Sequence, residues 1–212
     1  MNIKFLIFDK LTALDAVGPY EVLSRLPGSE VEFLAKEAGP KPTDTGMLSL
    51  VAARAFSEVD PADVDILLIP GGEGNRPMLS DEETLEWVRE VHAGSEWTTS
   101  VCTGAMVLGA AGVLEGLSAT THWAHMEGLA KYGATPTSER VVRDGKVFTA
   151  AGVSSGIDMA LTLVAEMTGP KVAQAIQLGI EYDPEPPFDA GSPEKSDPAI
   201  VEFIRNLEGQ PA

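Results

Sequence analysis

The chain of 212 residues contains one cysteine, Cys102, in the stretch Trp97-Thr98-Thr99-Ser100-Val101-Cys102-Thr103-Gly104-Ala105-Met106-Val107-Leu108. The residues before it are mostly β-branched and suit a strand. Those after it, rich in Ala, Met and Leu, suit a helix. A strand that turns directly into a helix exposes the junction residue at the sheet's carboxyl edge and aims the helix's unpaired N–H groups at it. A thiol placed there sees the positive end of the helix dipole, which favours the nucleophilic thiolate. It is expected to titrate below the ordinary thiol value of about 8.5. The competing reading is a buried core cysteine, a common fate of this residue type.

Other residues offer chemistry to the same edge. Asp15 either caps a helix that begins near Ala16 or stands beside Cys102 as a carboxyl whose pKa is raised. Gly71-Gly72, directly after an apolar run, either forms an ordinary turn or frees backbone N–H groups to stabilise an anion. The continuation Gly72-Glu73-Gly74 does not complete a dinucleotide fingerprint, because position 77 is Pro. His122, His125 and Glu127 lie close in sequence, but their spacing does not assemble a full metal-ligand set.

The elements that must carry these residues follow from hydrophobic runs. Ile3–Phe8, Val31–Ala35 and Val64–Ile69 read as strands, the first and last buried on both faces. A helix is expected from about Leu14 to Leu26, with Pro19 in its first turn. Another spans Asp81–Ala93, and the helix after Cys102 is expected to reach about Leu114. Arg140–Thr149 reads as a hairpin around Asp144-Gly145 with a type I′ turn. Long helices begin near Ser154 and Lys171, and a last one begins at Asp197-Pro198. Strands alternating with helices predict an α/β fold, a mostly parallel central sheet with helices on both faces.

Composition sets the outer limits. Fifteen basic against 32 acidic residues give a net charge of −17, which argues against a nucleic-acid partner. No apolar run approaches the roughly 18 residues needed to span a bilayer, so no membrane role is expected. One cysteine forms no internal disulfide, and with no secretory signal this points to the cytoplasm.

Taken together, Pro70-Gly71-Gly72, Ser100-Val101-Cys102-Thr103-Gly104 and Thr120-Thr121-His122-Trp123 resemble the ThiJ/PfpI superfamily. Leu14-Asp15-x-x-Gly18-Pro19, Glu139–Gly145, Gly152–Asp158 and Gln177–Pro193 are similar to its isonitrile hydratase branch. The resemblance implies a single domain over residues 1–212 with a flavodoxin-like sandwich and a cysteine nucleophile elbow. It implies Cys102 as nucleophile, Asp15 as acidic partner and Thr103 as the following catalytic residue. Gly72 and the Thr103 N–H match oxyanion positions, and Gly71, Gly72, Val153 and His122 fall on the substrate side. Thr103 stands where the superfamily's proteases carry His, and Val153 where the hydratases carry Ile. The implied reaction hydrates isonitriles to N-substituted formamides, with no metal or organic cofactor, a small-molecule substrate and a homodimer. The alternatives are a glyoxalase- or deglycase-like activity on reactive aldehydes, or a non-enzymatic cysteine redox sensor. Some relatives fuse this domain to a helix-turn-helix module, which is not expected here.

Overall fold

A computed structural model describes residues 1–208. The chain divides into two compact units, Met1–Ile180 and Glu181–Ala212. The first unit opens with β1 (Asn2–Leu6), α1 (Ala13–Leu23) and β2 (Glu30–Ala35). An antiparallel hairpin of β3 (Gly39–Pro42) and β4 (Ser49–Ala52) follows, then β5 (Arg54–Ala55). The chain returns through β6 (Ile66–Ile69), α2 (Glu82–Gly94), β7 (Trp97–Val101) and α3 (Gly104–Ala110). Beyond these come β8 (Ser118–Ala119), α4 (Met126–Leu129), β9 (Thr135–Pro136), β10 (Val141–Asp144), β11 (Val147–Ala150), α5 (Ser155–Thr168) and α6 (Pro170–Gly179). The second unit carries α7 (Pro198–Glu208).

The central sheet has seven strands in the order β10-β11-β7-β6-β1-β2-β5. Every pairing is parallel except β10 with β11. The apolar runs of β1 and β6 show no alternation because helices cover both faces, and all four residues of β6 are buried. On one face α1 and α5 press together and onto β7. A Cβ added at Gly156 would come within 2.9 Å of Pro19 and 3.0 Å of Val101. On the other face α2 meets β7, where His92 Nδ1 lies 2.8 Å from Thr98 Oγ1. The chain passes from β1 outward to β2, then crosses back to β6 on the opposite side of β1. That reversal opens a crevice at the carboxyl ends of β1 and β6, where α/β sheets bind ligands.

Several expectations change in detail. The helix after Cys102 stops at Ala110 rather than near Leu114. Its end is a Schellman cap: Val113 N–H donates to Leu108 O (3.0 Å), Gly112 N–H donates to Gly109 O (2.9 Å), and Gly112 is left-handed at φ 81°. Pro19 lies inside α1, not in its first turn, so the Asp15 carbonyl has no helical donor four residues on. The β10–β11 turn is not type I′, which needs two left-handed residues, since only Gly145 there has a positive φ.

Gly104 shows how tightly α3 sits over the sheet. A Cβ there would fall 2.1 Å from Ile69 O and 2.9 Å from Pro70 O, both backbone atoms that cannot swing away. Gly104→Ala is therefore expected to lower stability by at least about 2 kcal/mol, at the upper side of ordinary overpacking. Urea unfolding checks this, and an unchanged midpoint would mean that α3 shifts freely on β6.

Candidate active site

Cys102 joins β7 to α3 in a left-handed conformation, φ 55°. A residue with a Cβ takes this shape at a cost of about 1–2 kcal/mol, so its surroundings must enforce it. Cys102 N–H donates to Ala150 O (3.0 Å) and Ala151 O (2.9 Å), at the end of β11. Cys102 O accepts from Thr121 Oγ1 at 2.8 Å. Thr103 O accepts from Asn75 Nδ2 at 2.8 Å. The cysteine is buried, with 6% of its surface exposed.

Asp15 reaches the same point from the first turn of α1. It does not cap the helix: Thr12 occupies the N-cap position and makes no side-chain cap bond. The carboxyl is fully buried. Its Oδ2 accepts from Gly71 N–H at 2.9 Å, and its Oδ1 has no nitrogen or oxygen donor. Burial pushes its pKa up to about 7. The Gly71 N–H and a hydrogen bond with the Cys102 side chain pull the other way, and the negative charge of Asp44 adds to the rise. Asp44 is fixed by Thr12 Oγ1, which donates to its Oδ2 at 2.9 Å.

Gly71 and Gly72 belong to this site for a steric reason. A Cβ at Gly71 would lie 2.6 Å from Thr103 N, 2.7 Å from Thr103 Oγ1 and 2.9 Å from Asp15 Oδ2. Gly72 takes φ 127°, and a Cβ there would meet Lys10 O at 2.5 Å and Thr12 N at 2.6 Å. Their N–H groups, however, are already committed. Gly71 donates to Asp15, and Gly72 donates to Thr103 Oγ1 at 3.0 Å. Gly72 N–H, which the motif matched to an oxyanion hole, thus turns onto a side chain of the protein. Among the described residues the Thr103 N–H has no such acceptor.

Cys102, Asp15, Thr103, Gly71 and Gly72 therefore converge in one crevice, at the carboxyl ends of β1, β6 and β7. Val153 and His122 approach the elbow from its β11 side. Val153, at φ 21°, lies in the loop whose Ala151 carbonyl binds Cys102 N–H. His122 follows Thr121, and its ring backs onto Gly152, where a Cβ would lie 2.7 Å from His122 Cδ2. Its ring centroid is 5.9 Å from that of His125. No His, Cys, Asp and Glu group suited to a metal ion occurs among the described residues. No helix among them is long and apolar enough to cross a membrane. Asn75 is the site residue that the sequence did not point to.

Residues 1–166 match the DJ-1/PfpI family. The chain belongs to that family. An isonitrile hydratase of Pseudomonas putida is 45% identical over 205 residues, covering 97% of this chain and 89% of its own length. The structure of a ThiJ/PfpI family protein from Pseudomonas syringae superposes with a TM-score of 0.93 at 39% identity, covering 97% of this chain and 85% of that one. Deglycase PfpI of Pyrococcus furiosus is 28% identical over 145 residues, covering 68% of this chain and 86% of its own. The fold expected from the alternation of strands and helices and from the ThiJ/PfpI resemblance, a mostly parallel sheet between helices, is the fold observed.

The state of Asp15 predicts how stability depends on pH in this DJ-1/PfpI protein. The folded carboxyl keeps its proton up to about 7, whereas an ordinary one loses it near 3.8. The folded state then binds the extra proton between these values, so this group's contribution is complete below the lower value and is lost as pH rises through the upper one. A neutral amide avoids the loss. Asp15→Asn is expected to be more stable than the parent at about pH 8, by a few kcal/mol, and to lose that advantage towards about pH 4. Thermal melts of both proteins across this range measure it, and a difference that stays flat with pH would show an ordinary carboxylate.

Proposed function

We propose that the protein hydrates isonitriles to N-substituted formamides, with Cys102 as nucleophile and Asp15 as proton donor. The observation that carries this reading is a fully buried carboxyl, its pKa pushed up to about 7 by burial, in hydrogen-bond contact with the one thiol. The isonitrile hydratase of Pseudomonas putida, 45% identical over nearly the whole chain, supports it.

The chemistry balances as follows. The Cys102 thiolate attacks the terminal carbon of R–N≡C, forming a C–S bond. The electron pair of the broken π bond moves to nitrogen, and the carbon keeps the lone pair it already carried, now the basic pair of an imidoyl anion. Asp15 delivers its proton there, giving the thioimidate R–N=CH–S–Cys102 and an Asp15 carboxylate. Water then adds to the same carbon: its oxygen bonds to carbon and one proton passes to nitrogen. Collapse of the adduct breaks the C–S bond, returns the electron pair to sulfur, and transfers the hydroxyl proton to Asp15. The products are R–NH–CHO and the starting enzyme, with the proton shared by the Asp15–Cys102 pair restored. No metal or organic cofactor takes part in any step. The same reading makes the protein a lyase, with residues 1–212 acting as one family domain in the cytoplasm and as a homodimer.

Closure of the site favours this substrate class. Cys102 is 6% exposed and Asp15 is fully buried, so the reacting atoms admit a slender group more readily than a broad one. A terminal isonitrile is linear, uncharged and ends in the reacting carbon.

Purified protein given an alkyl isonitrile is expected to release the corresponding formamide, followed by mass spectrometry, and to leave methylglyoxal largely unconsumed. Cys102→Ala should lower turnover by at least about 10³-fold, the scale of losing a covalent nucleophile, without a loss of fold. Consumption of methylglyoxal with no formamide formed would assign the protein to aldehyde chemistry. A Cys102→Ala protein that retained most of its hydration would remove the covalent mechanism.

A further inference from the structure

We infer that Asn75 and Thr121 are positioning residues that clamp the nucleophile elbow, holding Cys102 left-handed through the two carbonyls at the start of α3. The inference rests on Cys102 as the reactive group and not on the identity of its substrate.

The left-handed backbone of Cys102 is disfavoured for any residue with a Cβ, and such conformations persist where neighbouring groups over-determine them. Upstream, the strand edge does this: Cys102 N–H is shared between Ala150 O and Ala151 O. Downstream, α3 supplies little. Its first-turn bond from Ala105 N–H to Cys102 O is long, at 3.4 Å, and α3 contains seven residues. Thr121 Oγ1 provides the shorter bond to that carbonyl, at 2.8 Å. The next carbonyl, Thr103 O, accepts Met106 N–H at 3.0 Å and Asn75 Nδ2 at 2.8 Å. Each of the two carbonyls that fix the junction thus carries a second bond from a side chain.

The donors come from different parts of the chain. Asn75 belongs to the segment after β6 that also holds Gly71 and Gly72, and Thr121 follows β8. Asn75 is 4% exposed and Thr121 is 1% exposed, so water does not readily replace either. Both bond to backbone oxygen, and their influence on the reaction passes through the orientation of the Cys102 peptide. The Asn75 bond has a second consequence. It ties the Gly71-Gly72 segment to Thr103, whose hydroxyl accepts from Gly72 N–H. A loosened elbow therefore also loosens the Gly71 N–H that holds Asp15.

The test is the rate of Cys102 alkylation by iodoacetamide against pH, on the full chain, beside isonitrile kcat and KM and thermal melting. Asn75→Ala and Thr121→Val are each expected to slow alkylation by about tenfold or more and to move its pH midpoint. In the isonitrile assay the loss should fall on kcat, with KM within about twofold. Thr121→Ser, which keeps the hydroxyl, should restore alkylation to within about twofold of the parent. If Asn75→Ala does not fold, Asn75→Leu replaces it, keeping nearly the same shape with no donor to offer. Each residue is judged by its own variant. A folded variant that alkylates at the parent's rate with the parent's midpoint overturns the role of that residue. Parent protein that turns over no isonitrile but shows the predicted alkylation losses would refute the proposed reaction and leave the clamp standing.

Discussion

A carboxyl group sealed from water is the constraint on which the rest of the site depends. Asp15 is fully buried and has one backbone donor, Gly71 N–H, and one thiol beside it. Ionising such a group is costly, because desolvation penalises the charged form more than one N–H bond and one thiol bond repay. Its surroundings are arranged to keep that balance. Gly71 lacks a side chain because Thr103 and Asp15 occupy the place where one would stand. Gly71 O in turn accepts from Thr12 N–H at 2.9 Å, which locks the start of α1 to the end of β6. The adjacency of β1 and β6, with Phe5 opposite Leu68, makes that short tie possible.

The second constraint is the junction at Cys102, where backbone geometry and chemistry are linked. A glycine would take φ 55° without strain but would bring no sulfur. The cysteine takes the strain, and bonds to its N–H, to its carbonyl and to the following carbonyl hold it. These come from β11, from the segment after β8 and from the loop after β6. The elbow is therefore a product of the tertiary fold. A short helix such as α3 would not fix it alone.

This origin explains which parts of the site were legible in the sequence. The strands β1, β2, β6 and β7 were legible because buried parallel strands write themselves as apolar runs. Cys102 was legible as a lone thiol between strand-forming and helix-forming residues. Asp15 remained ambiguous between cap and reacting group, since a carboxylate in a first helical turn suits both. Its neighbour Gly71 lies 56 residues away, and only the sheet order brings the two together. The commitment of Gly72 N–H to Thr103, across 31 residues, was hidden for the same reason. Asn75 left no signal at all, because a side chain that donates to a backbone carbonyl has no partner type to search for. The end of α3 is obscured in the sequence for a different reason. Gly112 follows Ala110-Ala111 in the position of a left-handed helix stop, and the apolar residues beyond it masked that cue.

The direction in which charge develops separates the proposed reaction from its aldehyde alternative. Addition of a thiolate to a carbonyl carbon drives an electron pair onto oxygen, and that oxyanion requires free N–H donors aimed at it. In this site Gly71 N–H serves Asp15 and Gly72 N–H serves Thr103 Oγ1, while Thr103 N–H has no acceptor among the described residues. Addition to an isonitrile makes a different demand. The displaced pair moves to nitrogen and cancels its formal positive charge, which leaves the negative charge on the carbon's own lone pair, and a proton quenches that pair more effectively than a hydrogen bond to a distant atom. A carboxyl held near 7 by burial is suited to that delivery, since a large share of it holds its proton near neutral pH and it is strong enough an acid to release that proton. Once ionised, it becomes a base in a site that disfavours its charge, which drives it to recover a proton when water attacks the thioimidate. On the proposed reading, the backbone donors of the Gly71-Gly72 turn serve the acid that acts on the substrate.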